Sequence, residues 1–265
     1  MTKSSYPRSL HKPLLGKGLQ DNASSEPCPD RGRQPSSASR GWRSHYRRRV
    51  DIAVNLVESY LRLTGYFTLS EFEVQHRDPK GRYKSVTDID VMAVRMPGAT
   101  YIGDPHGPQD CALVQLADPV LGLEAETVDV IIGEVKQGTA ELNPGIKDHA
   151  VLHAMIRRVE WLYAEPMETV IAGLQQRLVH HSPAKGGASI RTRLVAFGRS
   201  PESSETVVSL SHIVSTMLGF FETFEEAFRP VQFREPAPAF LRLLLKSGFD
   251  VDHDGHLRPQ PPPSG

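Results

Sequence analysis

The stretch VDVIIGEVKQG, Val128 to Gly138, decides the fold. A largely apolar run closed by glycine reads as a strand covered on both faces, the setting of a central strand in an α/β sheet. The run ends in Glu134 and Lys136, two positions apart, and side chains at i and i+2 of a strand share a face. A carboxylate and an ammonium therefore leave the covered part of a sheet side by side. Burying such groups is costly unless they pair or hold an ion. The end of this strand is where chemistry is to be sought.

Upstream, SVTDIDVMAVRM (Ser85 to Met96) and YFTLSEFEVQH (Tyr66 to His76) read as two further strands. DPKG (Asp78 to Gly81) places Pro and Gly as a tight turn requires, so the two form a hairpin. Before it, Val50, Ala53, Val54, Val57 and Leu61 fall at helical spacing and predict a helix from Ser44 to Leu63, stopping ahead of Gly65. Residues 97–126 read as an irregular insertion. Downstream, an amphipathic helix is expected from Ile146 to Ala164 and another from Pro166 to Leu178. Strands follow at Ile190–Ser200 and Glu205–Leu210, then a helix capped by Ser211 and running to Phe224, and a last helix from Ala237 to Lys246. This order predicts one α/β domain over residues 43–255, with a mixed central sheet flanked by helices.

Residues 1–42 are rich in Ser, Pro, Gly and Arg and read as a disordered basic tail, and 256–265 as a disordered Pro-rich end. Eleven bases against three acids give residues 1–50 a formal charge of +8, which leaves −8 for the rest of a chain that is neutral as a whole. Such a tail adds attraction to phosphates, or is simply solvated. No stretch is long and apolar enough to span a bilayer, and the first thirty residues lack the apolar core of a secretory signal. Cys28 and Cys111 supply neither a disulfide framework nor a thiolate zinc site. A cytoplasmic location, away from the membrane, is the expectation.

Within the second strand, Asp88 and Asp90 again stand at i and i+2. If the two strands are neighbours, three carboxylates and one ammonium converge. Repulsion among the carboxylates disfavours that arrangement unless some are protonated or a cation neutralises them. All-oxygen ligands of this kind suit Mg²⁺ or Mn²⁺. A lysine at such a site can orient water for attack.

The full set, a helix, a hairpin with an acidic strand, a strand ending E-x-K and a helix after it, resembles the PD-(D/E)xK nuclease superfamily, whose fold is that of restriction endonucleases. The resemblance covers most of residues 44–200. It matches Asp90 to the first acid and Glu134-Val135-Lys136 to the E-x-K half, with Gln137 as the polar residue after the lysine. Glu58 matches the acid that this superfamily often adds from the preceding helix. Ile89 stands where a proline is common, and the segment from Asp90 to Glu134 is long for the group.

The resemblance implies a metal-dependent nuclease, with DNA favoured over RNA. Asp90, Glu134 and the carbonyl of Val135 would ligate Mg²⁺ or Mn²⁺. Glu58 would complete the site directly, through water or by holding a second ion. Lys136 would position the attacking water, and Asp88 would be an outer partner. Backbone contacts would come from Arg77, Lys80, Arg82 and Lys84 at the hairpin and from Arg157 and Arg158 on the following helix. A turn is also where solvated charges sit. A homodimer or an accessory protein is a further expectation from the resemblance. The alternative is a nuclease-fold module without turnover that binds nucleic acid or a protein partner. His149 and His153 have i, i+4 metal-binding spacing, but no Glu follows His149, and they read as surface or core-edge residues.

Overall fold

A computed structural model of the chain describes residues 51–97, 115–251 and 257–259. The basic tail, residues 44–50 of the first predicted helix and most of the insertion lie outside the described residues. Helix α1 (Ile52–Leu63) begins where Asp51 accepts hydrogen bonds from the backbone N–H groups of Ala53 and Val54, satisfying donors that a first helical turn leaves open. Strands β1 (Phe67–Arg77) and β2 (Tyr83–Arg95) form the expected hairpin, and β3 (Thr127–Thr139) contains the opening stretch.

The helix expected over 146–164 is divided. Pro144–Lys147 is a 3-10 turn, α2 covers only His149–Ile156, and a second 3-10 turn covers Glu160–Leu162. The break has a local cause: Asp148 caps a new helix by accepting from the Ala150 N–H at 2.8 Å. Trp161 is 64% exposed, whereas Tyr163 is buried. Helix α3 spans Met167–Gln176, and a short strand not foreseen, β4 (Val179–Pro183), leads to β5 (Ser189–Arg199). Strand β6 (Val207–Ser209), α4 (Leu210–Thr223), α5 (Glu225–Phe228) and α6 (Pro236–Lys246) follow. Strands β7 (Phe249–Val251) and β8 (Leu257–Pro259) pair with each other, so ordered structure enters the stretch read as a frayed end.

The sheet order is β1-β2-β3-β5-β4, with β6 also on β5. Strands β1, β2 and β3 are antiparallel, β3 and β5 parallel; β5 pairs antiparallel with β4 over one half and parallel with β6 over the other. The fold is therefore α/β, with an open mixed sheet. One face packs Tyr60 and Leu61 of α1, Met217 and Phe221 of α4 and Leu241 of α6 against Val91, Ile131, Val195 and Phe197. The other packs Leu152 and Met155 of α2 and Ile171 and Leu174 of α3 against Val130, Ile132 and Leu194. Covering on both faces is what made β3 legible as a continuous apolar run. Among the described residues no helix is long and apolar enough to cross a membrane.

Candidate active site

Strands β2 and β3 pair from Arg95 opposite Asp129 to Val91 opposite Gly133, and there the ladder ends. Carried one step further, the register sets Asp90 opposite Glu134. The Val135 N–H donates to Asp90 Oδ2 at 2.7 Å, to a side chain where the ladder would offer a carbonyl. Past this point β2 stays with β1 as far as Tyr83, while β3 stays with β5. The two strands fork, and the acids stand in the fork.

Two local features produce it. Gly133 sits where β2, β3 and β5 press together: a Cβ there would lie 2.7 Å from Val91 Cγ1 and 2.8 Å from Phe197 Cε2. Only glycine leaves room. The second feature is a reset of the pleat. Ile89 and Met92, three apart, both face the α2/α3 core, which strict alternation does not allow. The turnover falls at Asp90, and opposite it Glu71 adopts a left-handed φ of 50°. That region is unusual for a residue with a side chain, and irregular strand positions re-aim neighbouring groups.

The electrostatics of the fork are one-sided. Burial pushes the Asp90 carboxyl above its ordinary range; the Val135 N–H opposes this, and the charges of Asp51, Asp88 and Glu71 add to it. Burial also raises Glu134, the charge of Asp90 raises it further, Lys136 opposes, and Asp88 adds a little. Lys136 Nζ lies 3.9 Å from Glu134 Oε1 and 3.9 Å from Glu141 Oε1, an ion-pair distance too long for a hydrogen bond. The sequence expectation of strand ends is corrected: Asp90 and Glu134 lie inside β2 and β3, and it is the end of the β2–β3 ladder that brings together Asp90, Glu134 and Lys136, with Asp88 exposed beside them. Gln137 is exposed, in the stretch where β3 departs from regular pairing with β5.

Glu58 is placed elsewhere. Its Oε1 accepts from Arg62 at 2.8 Å and from Thr68 Oγ1 at 3.1 Å. Thr68 is three positions along β1 from Glu71, so Glu58 stands about 10 Å from the level of Asp90. The acid of α1 that bears on Asp90 is instead Asp51, seven residues and about 10 Å earlier on the helix axis. Asp51 and Glu71 were not anticipated. Asp before the helical apolar period of α1 is an N-cap signal, but the predicted start at Ser44 hid it, and nothing in the local pattern marks Glu71.

The basic groups separate into two sets. At the hairpin tip, Arg82 Nε donates to Asp78 Oδ2 at 3.0 Å and Arg77 Nε to the Gly81 carbonyl at 3.3 Å, while Lys80 and Lys84 are exposed. Arg157 and Arg158 follow α2; both are exposed, and the Arg158 guanidinium lies 4.6 Å from the centre of the Phe72 ring. His149 Nε2 bonds Glu168 at 2.7 Å.

Among the described residues no three His, Cys, Asp or Glu side chains converge as a metal-holding group. The chain matches no family model, no curated protein and no solved structure.

Proposed function

We propose that the chain is a metal-dependent hydrolase of phosphodiester bonds in DNA, working as the PD-(D/E)xK nucleases it resembles in sequence work. The observation that supports this best is the fork. Two partly buried carboxyls, Asp90 and Glu134, face each other across it with both protonation equilibria displaced in the same direction, and one lysine stands beside them. Grouped carboxyls with raised protonation equilibria are a recognised mark of functional sites.

Asp90, Glu134 and the Val135 carbonyl are an all-oxygen donor set suited to Mg²⁺ or Mn²⁺, and a cation would relieve both burial and repulsion. Mg²⁺ commonly takes one or two protein carboxylates and completes its shell with water and substrate phosphate, so two converging carboxylates are enough. Such an ion, when bound, acidifies water and offsets the charge of the phosphate. Lys136 would orient the attacking water and stabilise charge growing on the phosphate oxygens. Asp88, exposed near the fork, would be an outer partner whose charge adds to that of Asp90 and Glu134.

The second reading, a binding module without turnover, draws support from Glu58, whose Oε1 is engaged by Arg62 and Thr68 away from the level of Asp90. One experiment separates the two. Single-stranded and duplex DNA and RNA are incubated with Mg²⁺ or Mn²⁺ and with wild type or Lys136→Ala. Hydrolysis by wild type, reduced roughly 10²- to 10³-fold in the variant, is expected. Cleavage unchanged in the variant rejects the assigned mechanism, and binding without cleavage by wild type establishes the second reading.

A further inference from the structure

We infer that the β1–β2 hairpin is an arm that enters the major groove of duplex DNA and sets a fixed spacing between a phosphate grip and the fork. The spacing, though not the binding, rests on the reading of the fork as the place of hydrolysis.

Beyond Asp90, β2 has lost β3 and keeps β1 alone. From Arg82 to Val86 the returning strand is exposed at every position, and on the outgoing strand Glu73, Gln75 and Arg77 are exposed, with Val74 turned inward. A two-stranded ribbon of this kind has almost no core of its own, and ribbons standing alone are marginal in water. Its tip is nevertheless well tied. Asp78 Oδ1 accepts from the N–H groups of Lys80 and Arg82, both at 2.9 Å, and Gly81 takes φ 79°. Rigidity at an exposed tip is the property that lowers the entropic cost of binding.

Charge is sorted along the ribbon. Residues 77–84 carry four bases and one acid, a formal +3, whereas Glu71, Glu73, Asp88 and Asp90 stand at the root. Because Asp78 is engaged by the turn and by Arg82, it faces inward to the loop, and Lys80 and Lys84 are left to meet a polyanion. Tyr83, 69% exposed between Arg82 and Lys84, and Val86, 42% exposed, give the same stretch apolar surface. Phosphate contacts from the lysines and apolar contact with base edges are the two components of groove binding.

Dimensions select the form of nucleic acid. Two strands about 4.8 Å apart, with side chains, fit a B-form major groove about 12 Å wide. The A-form RNA major groove is too narrow and deep to admit them. From Asp90 to Tyr83 are seven residue steps, about 23 Å at about 3.3 Å each. That is the length of about seven base pairs at about 3.4 Å per pair.

The test is binding of a fluorescent duplex of about 16 base pairs, read by anisotropy in EDTA over a range of salt. It uses the full chain carrying Lys136→Ala, with and without Lys80→Ala/Lys84→Ala. The double variant is expected to bind at least about five-fold more weakly, and its log K against log salt slope is expected to be shallower by about 1.8, the value for two lost phosphate contacts. Tyr83→Ala is expected to weaken binding with the slope unchanged. Circular dichroism and thermal unfolding of the variants should match the parent, since all three side chains are exposed. Equal affinity with and without the two lysines overturns the inference. So does competition by an RNA duplex, a single strand or polyglutamate as effective as that of the DNA duplex. If wild type cuts no nucleic acid while the lysine variants still lose duplex affinity, the hydrolysis reading falls and the arm stands. Cleavage with unaltered binding in the lysine variants reverses that result.

Discussion

Asp129 and Glu134 lie five residues apart on β3, and the molecule surrounds them in opposite ways. Asp129 is 2% exposed, and both of its oxygens are engaged: Arg191 Nε donates to Oδ1 at 2.8 Å, Arg193 to Oδ2 at 2.6 Å, and the Tyr66 hydroxyl to Oδ2 as well. Arg193 is wholly buried and also donates to the Glu205 carbonyl, and Arg191 to that of Leu121. Here two guanidinium groups converge on one carboxylate. At Glu134 the proportions are inverted among the described residues, with one ammonium, Lys136, beside the carboxyls of Glu134 and Asp90. A charge cluster whose partners are supplied from within holds the fold together. One short of counter-charge among the described residues is the better candidate to receive it from outside.

The contrast predicts effects of decreasing size. Asp129→Ala leaves two buried guanidinium groups without their carboxylate and is expected to cost about 3–5 kcal/mol, seen as a large fall in thermal midpoint. Asp90→Ala should show no comparable loss, and if it unfolds the protein as readily as Asp129→Ala the distinction fails. Next in size is the response to metal. Mn²⁺ at about 100 times its dissociation constant should stabilise wild type by about 2.7 kcal/mol in thermal unfolding. It should not stabilise Asp90→Ala; an equal shift in both places the ion elsewhere.

A pH series sharpens the same point. A carboxyl raised in the folded state above its ordinary value of 4.5 makes the ionised protein less stable, so protonation on acidification restores stability. Glu134→Gln should therefore unfold at higher urea than wild type near neutral pH. The gap should close as pH falls through the raised range toward about 4.5. A gap independent of pH would show that the charge of Glu134 is not the cause. The smallest effect is expected at Glu58. Glu58→Gln removes an ion pair with a half-exposed arginine, costs under about 1 kcal/mol, and should leave hydrolysis within about two-fold. A hundred-fold loss would return Glu58 to the site.

Much of this was legible from residue order. The apolar run of β3 is covered on both faces, as its continuity required, and the turn at Asp78–Gly81 produced the hairpin. Asp90 and Glu134 could be set together because antiparallel neighbours place acids at matching positions. What was not legible depends on contacts distant in sequence. Asp129 lies inside the same apolar run and gives no local sign that Arg191 and Arg193, more than sixty residues later, will meet it. Glu58 has helical spacing fit to face the sheet, yet which level of the sheet it faces depends on where α1 starts, and Asp51 fixes that start. The left-handed turn of Glu71 answers the pleat reset of β2 and cannot be read from β1 alone.

The edges of the sheet carry one more consequence. Strand β5 has its outer side occupied by β4 and then β6, so among the described strands the long unpaired margin belongs to β1. That margin begins with Phe67 and Leu69, 74% and 44% exposed, a pairing of traits that invites neighbouring molecules to add strands. The irregular backbone at Glu71 interrupts the template after four residues. A chain with β1 regularised there would be expected to self-associate more readily on concentration, because the edge template would then run unbroken past Glu71.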